Sequence, residues 1–194
     1  MSTSQYSKVQ DLPGSLGTLR SRAAVEAYIE ACLRKVEIAY GPSLILPNGG
    51  FIPYETFDTH TKRRVEEYLS SVSEWQKISL SELRQSFADD YWSIFHHIGW
   101  EGTYRLTPAI IKLAYEGYLQ SDEIVSTVEN LFSKFPRFSE DQSSNFLEWI
   151  GMYDKYQIVC IIDMITLFSD DPLSLFPDGF TEGKRWWMRY YVDG

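Results

Sequence analysis

The stretch YDKYQIVCIIDMITLF, residues 153–168, decides the fold. A helix drawn through it is apolar on nearly every side, and such a helix belongs at the centre of a packed core. Its apolar run, residues 158–168, is eleven residues long and contains Asp163. A bilayer-spanning helix needs about 20 apolar residues, so this one packs against protein. A bare carboxylate there would be costly. Asp163 is therefore expected to pair with a buried Arg, Tyr or Trp donor, or to lie on a wet stripe of the helix. The sharper alternative is a catalytic acid with a raised pKa.

Helical spacing continues on both sides of this stretch. In residues 21–40 the apolar positions Ala24, Val25, Tyr28, Ile29, Cys32, Leu33, Val36 and Ala39 recur in steps of three and four. Ser21 suits an N-cap, and Gly41-Pro42 a stop. Residues 46–57, LPNGGFIPYETF, read as a loop. A second helix is expected over 58–73, with Val65, Tyr68, Leu69 and Val72 inward. Ser79-Leu-Ser-Glu82 has the spacing of a capping box. It opens a third helix lined by Leu83, Phe87, Tyr91, Ile94 and Phe95 and ending near Gly99. Thr107-Pro108 reads as N-cap and first residue of a fourth helix. A fifth covers about 122–134 and stops at Pro136. Ser139-Glu-Asp-Gln142 is a second capping box, before FLEWIG. The C-terminal FPDGFTEGKRWWMRYYVDG suits a helix by the spacing of Trp186, Trp187, Tyr190 and Tyr191, or a short strand by its aromatic content.

The expected architecture is all-α, with about seven helices and short loops in a single domain over residues 16–194. A short extended C-terminal segment is compatible with it. Residues 1–15 are polar and are expected to form a disordered tail. Cys32 and Cys160 fall on apolar positions and read as small buried hydrophobes. There is no signal-peptide pattern at the N-terminus, so the expected location is cytoplasmic.

Residues 90–170 contain further helix-start signals: Tyr104, Leu106, Pro108 and Ala109, then Phe138, Ser139, Glu140, Gln142, Phe146 and Leu147. In this region the chain resembles an uncharacterised family of small, mostly bacterial, helical proteins, with Pro136 displaced from that pattern. The resemblance implies a helical fold and carries no activity.

Charge narrows the partners. The formal net charge is -9. Residues 1–100 hold 10 Lys/Arg against 12 Asp/Glu, and residues 101–194 hold 8 against 15. A phosphate-binding face needs the opposite sign, so nucleic acid is not expected. The KRWWMRYY segment, cations among aromatics, is expected to be core packing rather than a base-stacking platform.

Enzyme motifs are missing. His96 and His97 point about 100° apart on a helix. The third histidine, His60, makes no H-x-x-x-H spacing with them. Ser93 lies one turn before His97, yet no G-x-S-x-G elbow accompanies it. No metal or cofactor is expected, and the protein is not expected to be an enzyme. The less favoured reading is a hydrolase using His97 and Asp163.

The features that remain suit protein binding. The turn GWEGTYR would present Trp100, Glu101, Tyr104 and Arg105, next to His97 at a helix end. Glu116, Asp122, Glu123 and Glu129 would supply a negative field that speeds encounter with a basic partner. Their reversal is expected to slow association and leave folding nearly intact. The concrete expectation is an acidic bacterial immunity or inhibitor protein that occludes a basic toxin or enzyme surface. A structural or adaptor helical module is the alternative.

Overall fold

The structure is a computed structural model. It describes residues 7–9, 16–19, 22–42, 59–88, 91, 94–95, 98–120, 124–134, 144–170 and 177–193. The expected Ser21 cap, the 46–57 loop, the Pro136 stop, the Ser139–Gln142 box, Ser93, His96, His97, Asp122 and Glu123 lie outside them. The fold is all-α, and the chain divides into two compact units, Met1–Ala39 with Val128–Gly194, and Tyr40–Thr127.

In the first unit two short strands pair antiparallel, β1 Ser7–Val9 and β2 Leu16–Leu19, with Ser7 opposite Leu19 and Val9 opposite Leu16. Helix α1, Arg22–Tyr40, buries Val25, Tyr28, Ile29, Cys32 and Val36 on the face that the spacing predicts. The unit also contains α6 Ser144–Gly151, α7 Lys155–Ser169 and α8 Pro177–Asp193.

Helix α7 starts at a capping box that the sequence reading overlooked. The Asp154 carboxylate accepts the Gln157 N–H at 2.8 Å, and Gln157 Oε1 accepts the Asp154 N–H at 3.1 Å. Such reciprocal bonds satisfy two donors that have no partner within the helix. From Ile158 to Phe168 all but Val159 are buried, as expected of a helix apolar all round.

The C-terminal segment is a helix, not a strand. Its face Phe180, Gly183 and Trp187 recurs at steps of three and four and is buried throughout. Burial of that stripe outweighs the β-preference of the aromatics. Phe180 stacks on Phe168 of α7 at 4.7 Å, and Trp187 meets Trp149 and Tyr153 edge-on at 5.8 Å and 5.5 Å. The Trp187 indole N–H donates to the Phe132 carbonyl at 2.8 Å. Phe132 lies in a π-turn, Asn130–Lys134, that continues α5, Ile124–Glu129. Gly183 is pressed against this turn, where an added Cβ would meet the Ser133 backbone at 2.7 Å.

The second unit holds α2 Thr59–Ser71, a 3-10 turn Trp75–Lys77, α3 Leu80–Phe87 and α4 Trp100–Gln120. On α2, Val65 and Leu69 are buried, Val72 follows just past its end, and Tyr68 packs edge-on against Phe87 at 5.3 Å. Gly41 ends α1 at φ +70°, where glycine avoids a side-chain clash, and its carbonyl accepts the Trp75 indole N–H at 2.8 Å.

Two helix boundaries differ from the sequence reading. Helix α3 stops at Phe87, because Ala88 turns the chain at φ 54°, ψ −133°. The expected inward residues Tyr91, Ile94 and Phe95 are buried, but beyond the helix. Helix α4 begins at Trp100, not at Thr107, and runs through Pro108. Thr107 Oγ1 donates to the Thr103 carbonyl at 2.8 Å, and Thr103 Oγ1 to the Gly99 carbonyl at 3.2 Å. Those threonines bind back along the helix instead of capping a new one. Buried Leu106, Ala109, Ile110, Leu113 and Ala114 hold the helix together across the missing proline N–H.

Two substitutions test these features. Ala88 occupies backbone space that favours glycine, so Ala88→Gly is expected to stabilise by about 1 kcal/mol, raising Tm by about 2–4 °C in thermal denaturation. Gly183→Ala is expected to destabilise by about 1–3 kcal/mol in urea titration, because the new methyl has backbone in its way.

Candidate functional site

The residues nominated for partner binding divide sharply. Glu101, Tyr104 and Arg105 occupy positions i, i+3 and i+4 at the start of α4, so they share one helical face rather than a loop. Trp100 is the first residue of the same helix. Glu101 lies in the first turn, where the helix dipole favours a negative charge. Its side chain is 55% exposed and meets Arg105 at 3.4 Å. The Arg105 guanidinium sits 6.0 Å from the Tyr104 ring centroid, and both residues are half-buried. A stacked cation beside an exposed carboxylate is a usable contact surface.

Glu116 and Glu129 are placed differently. Glu116 Oε2 accepts the Leu80 N–H at 2.9 Å, while its Oε1 pairs with Lys112 at 2.8 Å. Lys112 in turn donates to the Ile78 carbonyl at 2.6 Å. Glu116 therefore completes the N-terminus of α3. Ser79 supplies the other expected bond, accepting the Glu82 N–H at 3.2 Å, whereas Glu82 Oε2 is buried without a hydrogen-bond partner. Glu129 is only 3% exposed and lies against Gly179, in the first turn of α8, where a Cβ would displace it. A carboxylate there sits at the positive end of the helix. Reversing either charge would disturb packing, contrary to the expectation that folding would survive nearly intact.

Among the described residues of the first unit, Asp163 is the most buried carboxylate, at 0% exposure. Its ion-pair partner is a lysine, not the expected Arg, Tyr or Trp. Lys35 Nζ lies 2.7 Å from Oδ2, reaching in from α1 with its own side chain 31% exposed. The long stem lets the ammonium reach inward while part of the side chain stays wet. The Tyr28 hydroxyl donates to the Asp163 backbone carbonyl at 3.0 Å. Burial pushes the Asp163 carboxyl above its ordinary value, opposed by the hydrogen bond and charge of Lys35 and then by Lys184. Burial and the nearby Asp163 charge push the Cys160 thiol up to about 12. Cys32 and Cys160 are both buried and are not joined in a disulfide, as expected of small core residues. A thiol so far from ionisation is a poor nucleophile.

His60 is exposed on α2. Among the described residues no group of three or more His, Cys, Asp or Glu side chains gathers to hold a metal ion. No described helix is long and apolar enough to cross a membrane. No family model, curated protein or solved structure matches the chain. The functional argument therefore rests on the residues themselves.

Lys35→Met leaves the buried Asp163 carboxylate without its counter-ion. At a pH where the Asp163 carboxyl is ionised, urea denaturation is expected to show a loss of about 3 kcal/mol. Adding Asp163→Asn to that variant is expected to restore most of the loss, since no bare charge then remains. Equal loss in the single and double variants would contradict the ion-pair account.

Proposed function

We propose that the protein works by binding another protein. The concrete form is an acidic immunity or inhibitor protein, of bacterial type, that docks on a basic toxin or enzyme surface and occludes it. The observation that carries this reading is how the charges are arranged. Acidic residues outnumber basic ones by 27 to 18. Many cations are already matched with carboxylates of their own chain: Arg22 with Glu26, Arg34 with Glu30, Arg63 with Glu67, Lys77 with Glu74, Arg105 with Glu101 and Lys184 with Asp170. The surplus is therefore carboxylate, with Glu37 and Glu148 among those exposed. A surplus of this sign attracts basic surfaces and raises encounter rates.

Apolar area supports the same reading. Ile38 and Tyr156 are 84% and 75% exposed. Their neighbours Ala39 and Gln157 are joined by a 3.4 Å hydrogen bond, so the two lie at one end of the α1–α7 pair. On this reading Glu101, Tyr104, Arg105 and Trp100 form one contact patch, with His97, Asp122 and Glu123 as further contacts. Glu116 and Glu129 serve the fold. The catalytic alternative through His97 and Asp163 is less favoured, because Asp163 is sealed from solvent with an ammonium on one oxygen.

The test is capture from host extract at low and high salt, followed by purification of what is retained and assay of its activity. The expected result is one stoichiometric basic protein, weakened by salt and inhibited on binding. Glu101→Lys combined with Asp122→Lys and Glu123→Lys is expected to slow its association about tenfold at low salt, with only a small loss of Tm from the first turn of α4. A retained protein whose activity is untouched would favour the adaptor alternative. The absence of any stoichiometric partner at either salt would overturn the binding reading.

A further inference from the structure

The two oxygens of Asp163 are not equivalent. Oδ2 holds the Lys35 ammonium at 2.7 Å, whereas Oδ1 is buried without a hydrogen-bond partner. Thr166 Oγ1, one turn along α7, is also buried and unpartnered. An ionised carboxylate is poorly served by this arrangement, because one charged oxygen is buried with no protein donor. A neutral carboxyl fits better: its proton can reside on Oδ1 while Oδ2 still accepts from Lys35. If α1 lifts away, Asp163 loses the helix that covers it and reaches water, where the ion is well solvated. The protonation state of this one group is thus coupled to whether α1 is seated.

The surrounding groups fit that coupling. Tyr28, Cys32 and Lys35 come from α1, a run of i, i+4 and i+7 on one face. Cys160 precedes Asp163 by one turn on α7, and its thiol stays protonated. From α8 comes Lys184, which is held at 3.2 Å by Asp170 at the end of α7. The Tyr28 hydroxyl is raised far above its ordinary range by burial first, then by Cys32 and Asp163, so it stays a donor to the Asp163 carbonyl. The Tyr28 and Cys160 protons stay in place, which leaves the Asp163 carboxyl as the buried group of this set that can lose one.

We propose that Asp163 is a proton-operated clasp that seats α1 on α7, tight when the carboxyl is protonated and looser once it ionises. The direction follows from linkage. The carboxyl of the closed form is raised above the ordinary 3.8. Between that value and the raised one, the closed form keeps a proton that the open form has lost. The stabilisation is therefore fully present below the ordinary value and is lost as pH rises through the raised one. Acidification tightens this clasp.

The experiment uses the full chain. Asp163 is titrated through its carboxyl carbon by NMR, and hydrogen exchange of α1 is followed between about pH 4 and about pH 8, corrected for intrinsic exchange rates. The expected result is that the opening constant of α1 rises by up to tenfold per pH unit across the Asp163 titration and levels off beyond it. Amides of α8 are expected to change much less. In Asp163→Asn the pH dependence should vanish. In Lys35→Gln it should move to higher pH, because the charge that favours ionisation is gone. Opening of α1 that ignores the Asp163 titration would overturn the clasp, as would equal changes in α1 and α8. An Asp163 that titrates at or below its ordinary value would overturn it as well.

Discussion

Helix α7 must be covered on every side, and much of the first unit follows from that constraint. From Ile158 to Phe168 it offers almost no wet face, so each neighbouring helix has to bring a matching surface. Helix α1 brings its Val25–Val36 stripe, and α8 brings Phe180 onto Phe168. The demand passes outward. To seat its aromatic face, α8 needs glycine at 179 and 183, where the α5 end and the π-turn press close. The π-turn in turn presents the Phe132 carbonyl to the Trp187 indole. A polar group inside such a helix has to be matched internally, and for Asp163 this is done only in part: Lys35 donates to Oδ2 and the Tyr28 hydroxyl to the backbone carbonyl, while Oδ1 has no protein donor.

The second unit faces a milder form of the same problem around α4. Its residues from Leu106 to Ala114 are mostly buried, yet the helix contains a proline. Proline removes one backbone donor and crowds the preceding turn. Threonine hydroxyls at 103 and 107 bond back to carbonyls one turn earlier, on the N-terminal side of the proline. Lys112 and Glu116 then use the remaining half-buried face to hold the Ile78 carbonyl and the Leu80 N–H. A pair that looks like ordinary helix-surface charge thus ties α4 to the start of α3.

The parts of this fold that were legible in the sequence are those set by one helix's own period. The buried face of α1, the extent of α2 and the all-round burial of α7 follow from spacing alone. The misread parts depend on a neighbour. Thr107-Pro108 has the local signature of a helix start, but apolar residues on both sides of it are buried together, and packing overrode the local signal. Ala88 bears no turn signature, so the early end of α3 was invisible. The C-terminal helix is chosen over a strand by the surfaces of α7 and the π-turn, which no local window contains. Asp154 and Gln157 have the spacing of an N-cap and its N3 partner, so this cap was legible in the sequence.

The candidate site divides along the same line. Sequence distance separates Lys35 from Asp163 by 128 residues, and nothing local to either names the other. Carboxylate count gives the field around a protein but not which carboxylates face water. Glu116 and Glu129 carry the same formal charge as Glu101, yet one caps α3 and the other abuts the first turn of α8. Fixing them there costs the surface two negative charges and gains the fold a completed start of α3 and a carboxylate packed against the first turn of α8. An acidic chain of this kind can therefore change its surface field by substitution at Glu101 far more freely than at Glu116 or Glu129.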